Sequence, residues 1–181
     1  MRLFVAIEVG PADANRASED PTAVDHVTLR FLGETPETAV PALSEALARV
    51  AASTPPFDLV LAGVGAFPSR TRPRVVYVGA RAGGPEATEL ARRIATALGD
   101  VVGPSLAPER FVPHLTLWRV RSRSDRERAH ALLEGRAPAP PARTVRVDRI
   151  VLKASTLAPT GARHRTVAEF VFGAGAPGPS R

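Results

Sequence analysis

The sequence predicts an α+β protein built from two similar lobes. Stretches in which polar and apolar residues alternate recur between stretches with helical spacing, which is the pattern of a mixed fold. One motif, His-apolar-Thr-Leu, occurs twice, at residues 26–29 and 114–117. A motif repeated once in a chain of 181 residues indicates an internal repeat within one domain. We expect a single bilobal domain over residues 1–172 and a disordered tail, rich in Gly, Pro and Ala, over residues 173–181.

In the first half of the chain, period-2 alternation and helical spacing define the elements in order. The segment 10–24 contains Gly and Pro and has room for a short helix at most. Val40, Leu43, Leu47 and Val50 recur at spacings of three and four residues, which predicts an amphipathic helix. The predicted elements are a strand at 2–9, the first motif strand at 25–32, a helix at 36–52 and a strand at 57–65.

In the second half, the same signals repeat. A basic loop at 67–73 leads to a strand, and Gly99 is expected to end the helix that follows it. Ser124 is the expected cap of the last helix, which precedes a Pro-rich connector. The predicted elements are a strand at 74–79, a helix at 85–98, the second motif strand at 112–119, a helix at 125–133 and closing strands at 145–155 and 166–172.

Composition excludes several classes of protein. The chain has no Cys, which excludes disulfides, a thiolate nucleophile and a Cys-based zinc site. No apolar run is long enough to span a bilayer, and the N-terminus lacks the pattern of a signal peptide, so we expect a cytoplasmic protein that binds no membrane. The net charge of +6 favours an anionic partner such as RNA. Because Lys153 is the only lysine among 24 basic residues, this charge equally fits a GC-rich genome.

The two His-apolar-Thr motifs predict acid-base chemistry. On a strand, residues i and i+2 share a face, so His26 lies beside Thr28 and His114 beside Thr116. One neutral imidazole can accept a proton while a protonated one donates, as displacement at phosphorus requires. The threonine hydroxyls can donate hydrogen bonds to phosphate oxygens as negative charge builds up. A singly charged 2′,3′-cyclic phosphate suits such a site without a metal ion, and we expect no cofactor.

The residues around both motifs resemble those of a known family, the 2H phosphoesterases. The resemblance is greatest to the RNA 2′,3′-cyclic phosphodiesterases, historically called 2′-5′ RNA ligases. It covers about residues 2–172. It is carried by the opening strand, by residues 64–68 and 73–79, by both motifs with their flanks, 26–33 and 111–120, and by residues 161–164 before the last strand.

The resemblance implies two antiparallel sheets, flanked by helices, with both motifs lining a central cleft. It also implies hydrolysis of 2′,3′-cyclic phosphate ends of RNA, or of cyclic nucleotides, to 2′-phosphates. His26 would then be the general acid and His114 the general base. Arg119 matches a position of the family that holds the phosphate. Arg30, on the first motif strand, is a further candidate for phosphate contact, and we expect a monomer.

Two features depart from the family pattern. The family has a long helix between the first strand and the first motif, whereas segment 10–24 is short here. A Tyr common near the final strand is replaced by His164. We expect His164 and His130 to have no role in the site.

Other readings of the sequence remain open. The same two histidines could join RNA ends by the reverse attack of a 5′-hydroxyl, or the chain could be a non-catalytic RNA-binding module. Phe111, Trp118 and Tyr77 could stack on a base. We expect at least two of these three aromatic side chains to belong to the core instead.

Overall fold

The protein is described by a computed structural model covering residues 1–11, 24–102, 111–158 and 161–173. The short segment expected at 10–24 and the tail expected at 173–181 therefore lie largely outside the described residues. The described strands are β1 Arg2–Pro11, β2 Val24–Glu34, β3 Phe57–Pro68, β4 Pro73–Ala82, β5 His114–Arg119, β6 Arg143–Val147, β7 Arg149–Ala158 and β8 Gly161–Val171. The described α-helices are α1 Val40–Ala52, α2 Gly84–Val102 and α3 Arg123–Leu133.

The eight described strands form one antiparallel sheet in the order β6-β3-β4-β5-β2-β1-β7-β8. The expectation of two separate sheets is corrected by the pairing of β2 with β5, which joins two four-stranded halves. The α+β class is confirmed. The two halves keep the predicted repeat, because each contributes one motif strand to the centre of the sheet.

The three described α-helices cover one face of the sheet and leave the other face open. Apolar residues of α1 and α2 pack against inward residues of both halves, in a core that includes Leu43, Leu47, Leu90, Ile94, Leu3, Val5, Val27, Leu59, Leu115 and Leu152. Helix α3 packs through Ala129 and Leu132 on Val76, which lies on the same face of β4 as Val78. The side chains that alternate with these core residues therefore face away from the helices.

Several predicted boundaries are wrong for local reasons. Helix α2 continues through Gly99 to Val102, because Leu98 and the residues before it are held in the core. Helix α3 is capped by Ser122 rather than Ser124, in a capping box with Asp125. Three strands, not two, close the chain, because Asp148 separates β6 from β7.

The sheet is strongly curled. The His164 ring on β8 lies with its centroid 5.2 Å from that of His26 on β2, although β1 and β7 intervene in the sheet order. Adjacent strands are about 4.8 Å apart, so a flat sheet would separate β2 and β8 by roughly 14 Å. The curl brings the β8 edge over the open face beside His26. Among the described residues, no helix is long and apolar enough to cross a membrane.

Candidate active site

The two motif strands are neighbours at the centre of the sheet. Strands β2 and β5 run antiparallel, and Val27 pairs with Leu115. Both of these side chains are buried in the core beneath the sheet. Counting one residue outward from this pair sets His26 across from Thr116 and Thr28 across from His114, on the open face. Cross-strand neighbours have Cβ atoms about 5 Å apart, so the two predicted His-Thr pairs come together.

His114 is held by the backbone and by two aromatic rings. Its Nδ1 lies 2.8 Å from the carbonyl oxygen of Val112. Since a carbonyl only accepts, Nδ1 carries the proton and Nε2 of the neutral ring is left with its lone pair. The His114 ring centroid lies 5.0 Å from that of Phe67 and 5.2 Å from that of Tyr77. This geometry presents Nε2 as a proton acceptor.

The position of Tyr77 depends on a glycine on the neighbouring strand. Gly65 on β3 pairs with Tyr77 on β4, and a Cβ atom at Gly65 would clash with Cζ of Tyr77. The missing side chain lets the Tyr77 ring lie across β3. There it stacks on Phe67 at 4.4 Å and borders His114.

The pKa of His114 is lowered from its ordinary value. Burial of the ring is the largest cause, because it disfavours the charged imidazolium. The hydrogen bond to the Val112 carbonyl acts in the opposite direction, and the positive charge of Arg119 lowers the pKa further. His114 is therefore predominantly neutral near pH 7 and suited to accept a proton.

His26 lies among different neighbours. Its ring centroid is 5.1 Å from that of Phe4 and 5.2 Å from that of His164. Phe4 is buried, with 2% of its surface exposed. The His164 ring is also 5.0 Å from Phe4 and nearly perpendicular to both partners. His164, for which the sequence analysis expects no role in the site, therefore lies in ring contact with both His26 and Phe4.

Arg119 reaches the open face because of a β-bulge. Tyr77 on β4 pairs with Thr116, but the next pair is Val76 with Trp118, which leaves Leu117 as an extra residue. Trp118 consequently follows Val76 to the helix-covered face, where it packs near α3. Arg119 pairs with Val75 and follows Tyr77 to the open face.

The first motif strand has the same bulge one residue after its threonine. Ala6 pairs with Thr28 and Val5 with Arg30, so that Leu29 is the extra residue. Arg30 therefore lies opposite a core residue and is not brought together with His26 and Thr28. Phe31 takes the position equivalent to Arg119, with its ring 6.0 Å from Phe4 and 65% of its surface exposed. Plain alternation along the strand would have placed Arg30, not Phe31, on the open face.

The predicted aromatic candidates divide as expected. Trp118 lies against α3 with the guanidinium of Arg128 4.2 Å from its ring, and Phe111 packs against the main core. Tyr77 borders the open face beside His114. The expectation that at least two of the three belong to the core is confirmed.

A partly buried ion pair, which sequence patterns do not predict, lies beside His26. Glu8 pairs directly with His26 across β1 and β2, and its carboxylate accepts a hydrogen bond from Lys153 Nζ. Lys153 is 4% exposed and also donates to Thr166 Oγ1 at 3.3 Å. The available signal was a single lysine inside the apolar stretch 150–154 of an otherwise Arg-rich chain.

One cavity of the protein does not coincide with this site. It has a volume of about 580 Å³ and lies on the helix-covered face, between Leu115, Trp118, Arg128 and the Pro-rich connector. No motif His or Thr lines it. The open face holds the titratable groups instead, and within the described ranges no group of three or more His, Asp or Glu side chains is arranged to hold a metal ion.

Comparisons with known proteins agree with this arrangement. Residues 8–155 match the sequence profile of the 2′-5′ RNA ligase superfamily. An RNA 2′,3′-cyclic phosphodiesterase of Thermotoga maritima is 32% identical over 192 aligned positions, which cover 97% of each chain. One from Aquifex aeolicus is 32% identical over 155 positions, covering 82% of this chain and 78% of that protein.

The fold also matches a solved structure. The crystal structure of TT0787 from Thermus thermophilus aligns with a TM-score of 0.72 at 24% identity, covering 96% of this chain and 99% of that one. The chain therefore belongs to the 2′-5′ RNA ligase superfamily and, within it, to the family of the RNA 2′,3′-cyclic phosphodiesterases.

Proposed function

We propose that this chain hydrolyses 2′,3′-cyclic phosphate ends of RNA, or cyclic nucleotides, to 2′-phosphates, with His114 as the general base and His26 as the general acid. The observation that carries the proposal is the antiparallel pairing of β2 with β5, around which both His-apolar-Thr motifs share one open face. The names of the Thermotoga and Aquifex relatives support the substrate class.

The roles of the two histidines follow from their surroundings. His114 has a lowered pKa and a free Nε2, because Nδ1 donates to Val112, so it accepts the proton of the attacking water. The water oxygen bonds to phosphorus, the bond from phosphorus to the 3′-oxygen breaks, and that oxygen takes the proton of His26. The ring opens to a 2′-phosphate and a 3′-hydroxyl. His26 is left neutral and His114 protonated, so each exchanges one proton with solvent before the next turnover.

The remaining groups stabilise the charge on phosphorus. The hydroxyls of Thr28 and Thr116 donate to the non-bridging oxygens, whose negative charge grows in the transition state. Arg119 adds a guanidinium fork on the His114 side of the site. These donors and the two imidazoles supply acid, base and charge stabilisation for a monoanionic substrate, so the proposed mechanism needs no metal ion. Arg30 has no part in it.

The test is hydrolysis of a short RNA with a 2′,3′-cyclic phosphate end in the presence of EDTA. Wild type, His26→Ala and His114→Ala are compared, and ³¹P NMR identifies the product. We expect a 2′-phosphate, with a loss of about 10²- to 10⁴-fold for each variant, since each removes one proton-transfer group. His130→Ala, on α3, is the matched control and should retain wild-type activity.

Three results would contradict the proposal. A 3′-phosphate product would mean that the 2′-oxygen, not the 3′-oxygen, is the leaving group. Activity that EDTA abolishes and a divalent ion restores would exclude the metal-free mechanism. Unchanged rates in both histidine variants would place the chemistry elsewhere. Adding an RNA with a 5′-hydroxyl to the same reaction tests ligation, and RNA binding without turnover by wild type would support the non-catalytic alternative.

A further inference from the structure

The His26 side of the site contains a second imidazole, that of His164 on β8. The curl of the sheet brings the centroid of its ring to 5.2 Å from that of the His26 ring. The two rings meet edge to face, at an interplanar angle of 84°. Both also contact Phe4, which is buried beneath them.

We propose that His26 and His164 form a coupled pair that shares one proton near neutral pH, so that His164 controls how much of the general acid is protonated. This inference rests on the proposed function for its role in catalysis. The coupling itself rests only on the geometry of the two rings. His164 acts through His26 and is therefore a positioning residue.

Two imidazoles at this separation influence each other's titration. A positive charge within about 4–6 Å disfavours a second one, so the doubly protonated pair is penalised. When two groups interact by more than about 1 pK unit, their protons leave in two steps that belong to the pair. Phe4, which lies against both rings, carries no charge itself.

Among the described residues, the charged side chains on the strands around His26 form ion pairs or lie on the far side of the site. From β1, Glu8 faces His26, but its carboxylate is bound by Lys153 of β7. Also on β1, Arg2 forms an ion pair with Glu34 of β2, with its Nε 3.7 Å from Glu34 Oε1.

Across β5, His114 and Arg119 form the opposite wall of the site, and Arg30 of β2 lies opposite a core residue. From β8, Thr166 is uncharged and accepts from Lys153. Within the described ranges, His164 is the group in ring contact with His26 whose charge can vary near neutral pH.

His164 also connects the pair to solvent. Its side chain is exposed at the lip of the curled sheet, whereas His26 is only partly exposed. In the proposed cycle His26 gives up its proton to the 3′-oxygen. The exposed member of the pair supplies a route by which that proton is restored.

The experiment follows the imidazole Cε1–H resonances by NMR as a function of pH. The chain has four histidines, so single substitutions assign every signal. The comparison is between wild type, His164→Tyr and His164→Phe. Both variants keep an aromatic ring against Phe4 and remove a group that titrates near neutral pH, and the Phe variant also removes any hydrogen bond to His26. His130→Tyr is the control.

We expect His26 to titrate in two steps in wild type, and in one step with a midpoint moved by about 0.5 pH unit or more in both His164 variants. The alkaline limb of kcat/KM should move with the His26 midpoint, while His130→Tyr leaves both unchanged. A single His26 step with the same midpoint in wild type and both variants would overturn the proposal. If NMR shows the coupling but the protein hydrolyses no cyclic phosphate, the proposed function is contradicted. The coupled pair is then still supported.

Discussion

The two halves of the site present the same motif in different surroundings. On the His114 side, the imidazole is fixed by the Val112 carbonyl and enclosed by Phe67 and Tyr77. On the His26 side, the neighbours are Phe4 and the titratable His164. The repeat supplies two similar imidazoles, and in the proposed mechanism their different neighbours suit His114 to act as the base and His26 to act as the acid.

The halves also differ in the residue that follows each bulge. In both motif strands the extra residue comes directly after the threonine, so the third residue beyond Thr28 and Thr116 returns to the open face. That residue is Phe31 in one half and Arg119 in the other. One half thus has an exposed aromatic side chain at this position, and the other has the guanidinium that the proposed mechanism assigns to the phosphate.

Arg119→Ala tests the largest expected difference between the halves. Removing a charge-stabilising donor costs about 10²- to 10³-fold in kcat. Arg30→Ala is the matched control, because the bulge at Leu29 sets Arg30 opposite a core residue, and its rate should stay within about 3-fold of wild type. The rates are measured on the cyclic-phosphate RNA. Equal losses of rate in the two arginine variants would contradict the difference between the two halves.

Glu8→Gln tests the ion pair between Glu8 and Lys153, which lies on the His26 side of the site. It leaves the Lys153 ammonium buried without its carboxylate, and we expect unfolding by urea to report a loss of about 3 kcal/mol. The double variant Glu8→Gln, Lys153→Met removes the unpaired charge and should be more stable than Glu8→Gln alone. If the double variant is less stable than the single one, the buried charge is not the cause of the loss.

Phe31→Ala tests the aromatic surface of the His26 half. Stacking of a base on an aromatic ring is worth about 1–3 kcal/mol, so KM should rise about 5- to 150-fold with kcat little changed. Val171→Ala, at the other large exposed apolar side chain among the described residues, is the control and should bind RNA as wild type does. A change confined to kcat would argue against a stacking role.

The smallest expected effect is a pH shift on the His114 side. The positive charge of Arg119 lowers the pKa of His114, so removing it in Arg119→Gln raises that pKa. Since the base must be neutral, the acidic limb of kcat/KM should move to higher pH, by less than about 1 unit. Arg30→Gln should leave the limb in place, and a shift to lower pH in Arg119→Gln would contradict the assignment of His114 as base.

Sequence reasoning found the parts of the site that depend on local pattern. Alternation along each motif strand indicated that His26 and Thr28 share a face, as do His114 and Thr116, and the repeat indicated two related halves. It could not reveal the bulges at Leu29 and Leu117, because a bulge is defined by the partner strand. For that reason, alternation along the strand predicts Arg30 rather than Phe31 as the residue on the open face.

Contacts between distant parts of the chain were equally hidden. His164 follows His26 by most of the chain length and lies on a different strand, so only the curl of the sheet joins them. The Glu8–Lys153 pair likewise requires β1 and β7 to be neighbours. The spacing of residues within one segment gives no information about either contact.

By itself, the sequence determined the α+β class, the repeated imidazole and hydroxyl groups, and the strands that carry them, because side-chain alternation is a property of a single strand. Only the tertiary structure decided that the two halves form one sheet, which arginine faces the site, and that a third imidazole stands beside His26. The physical reason is that register, bulges and curl arise from pairing between strands, and pairing is set by the packed whole rather than by any one segment.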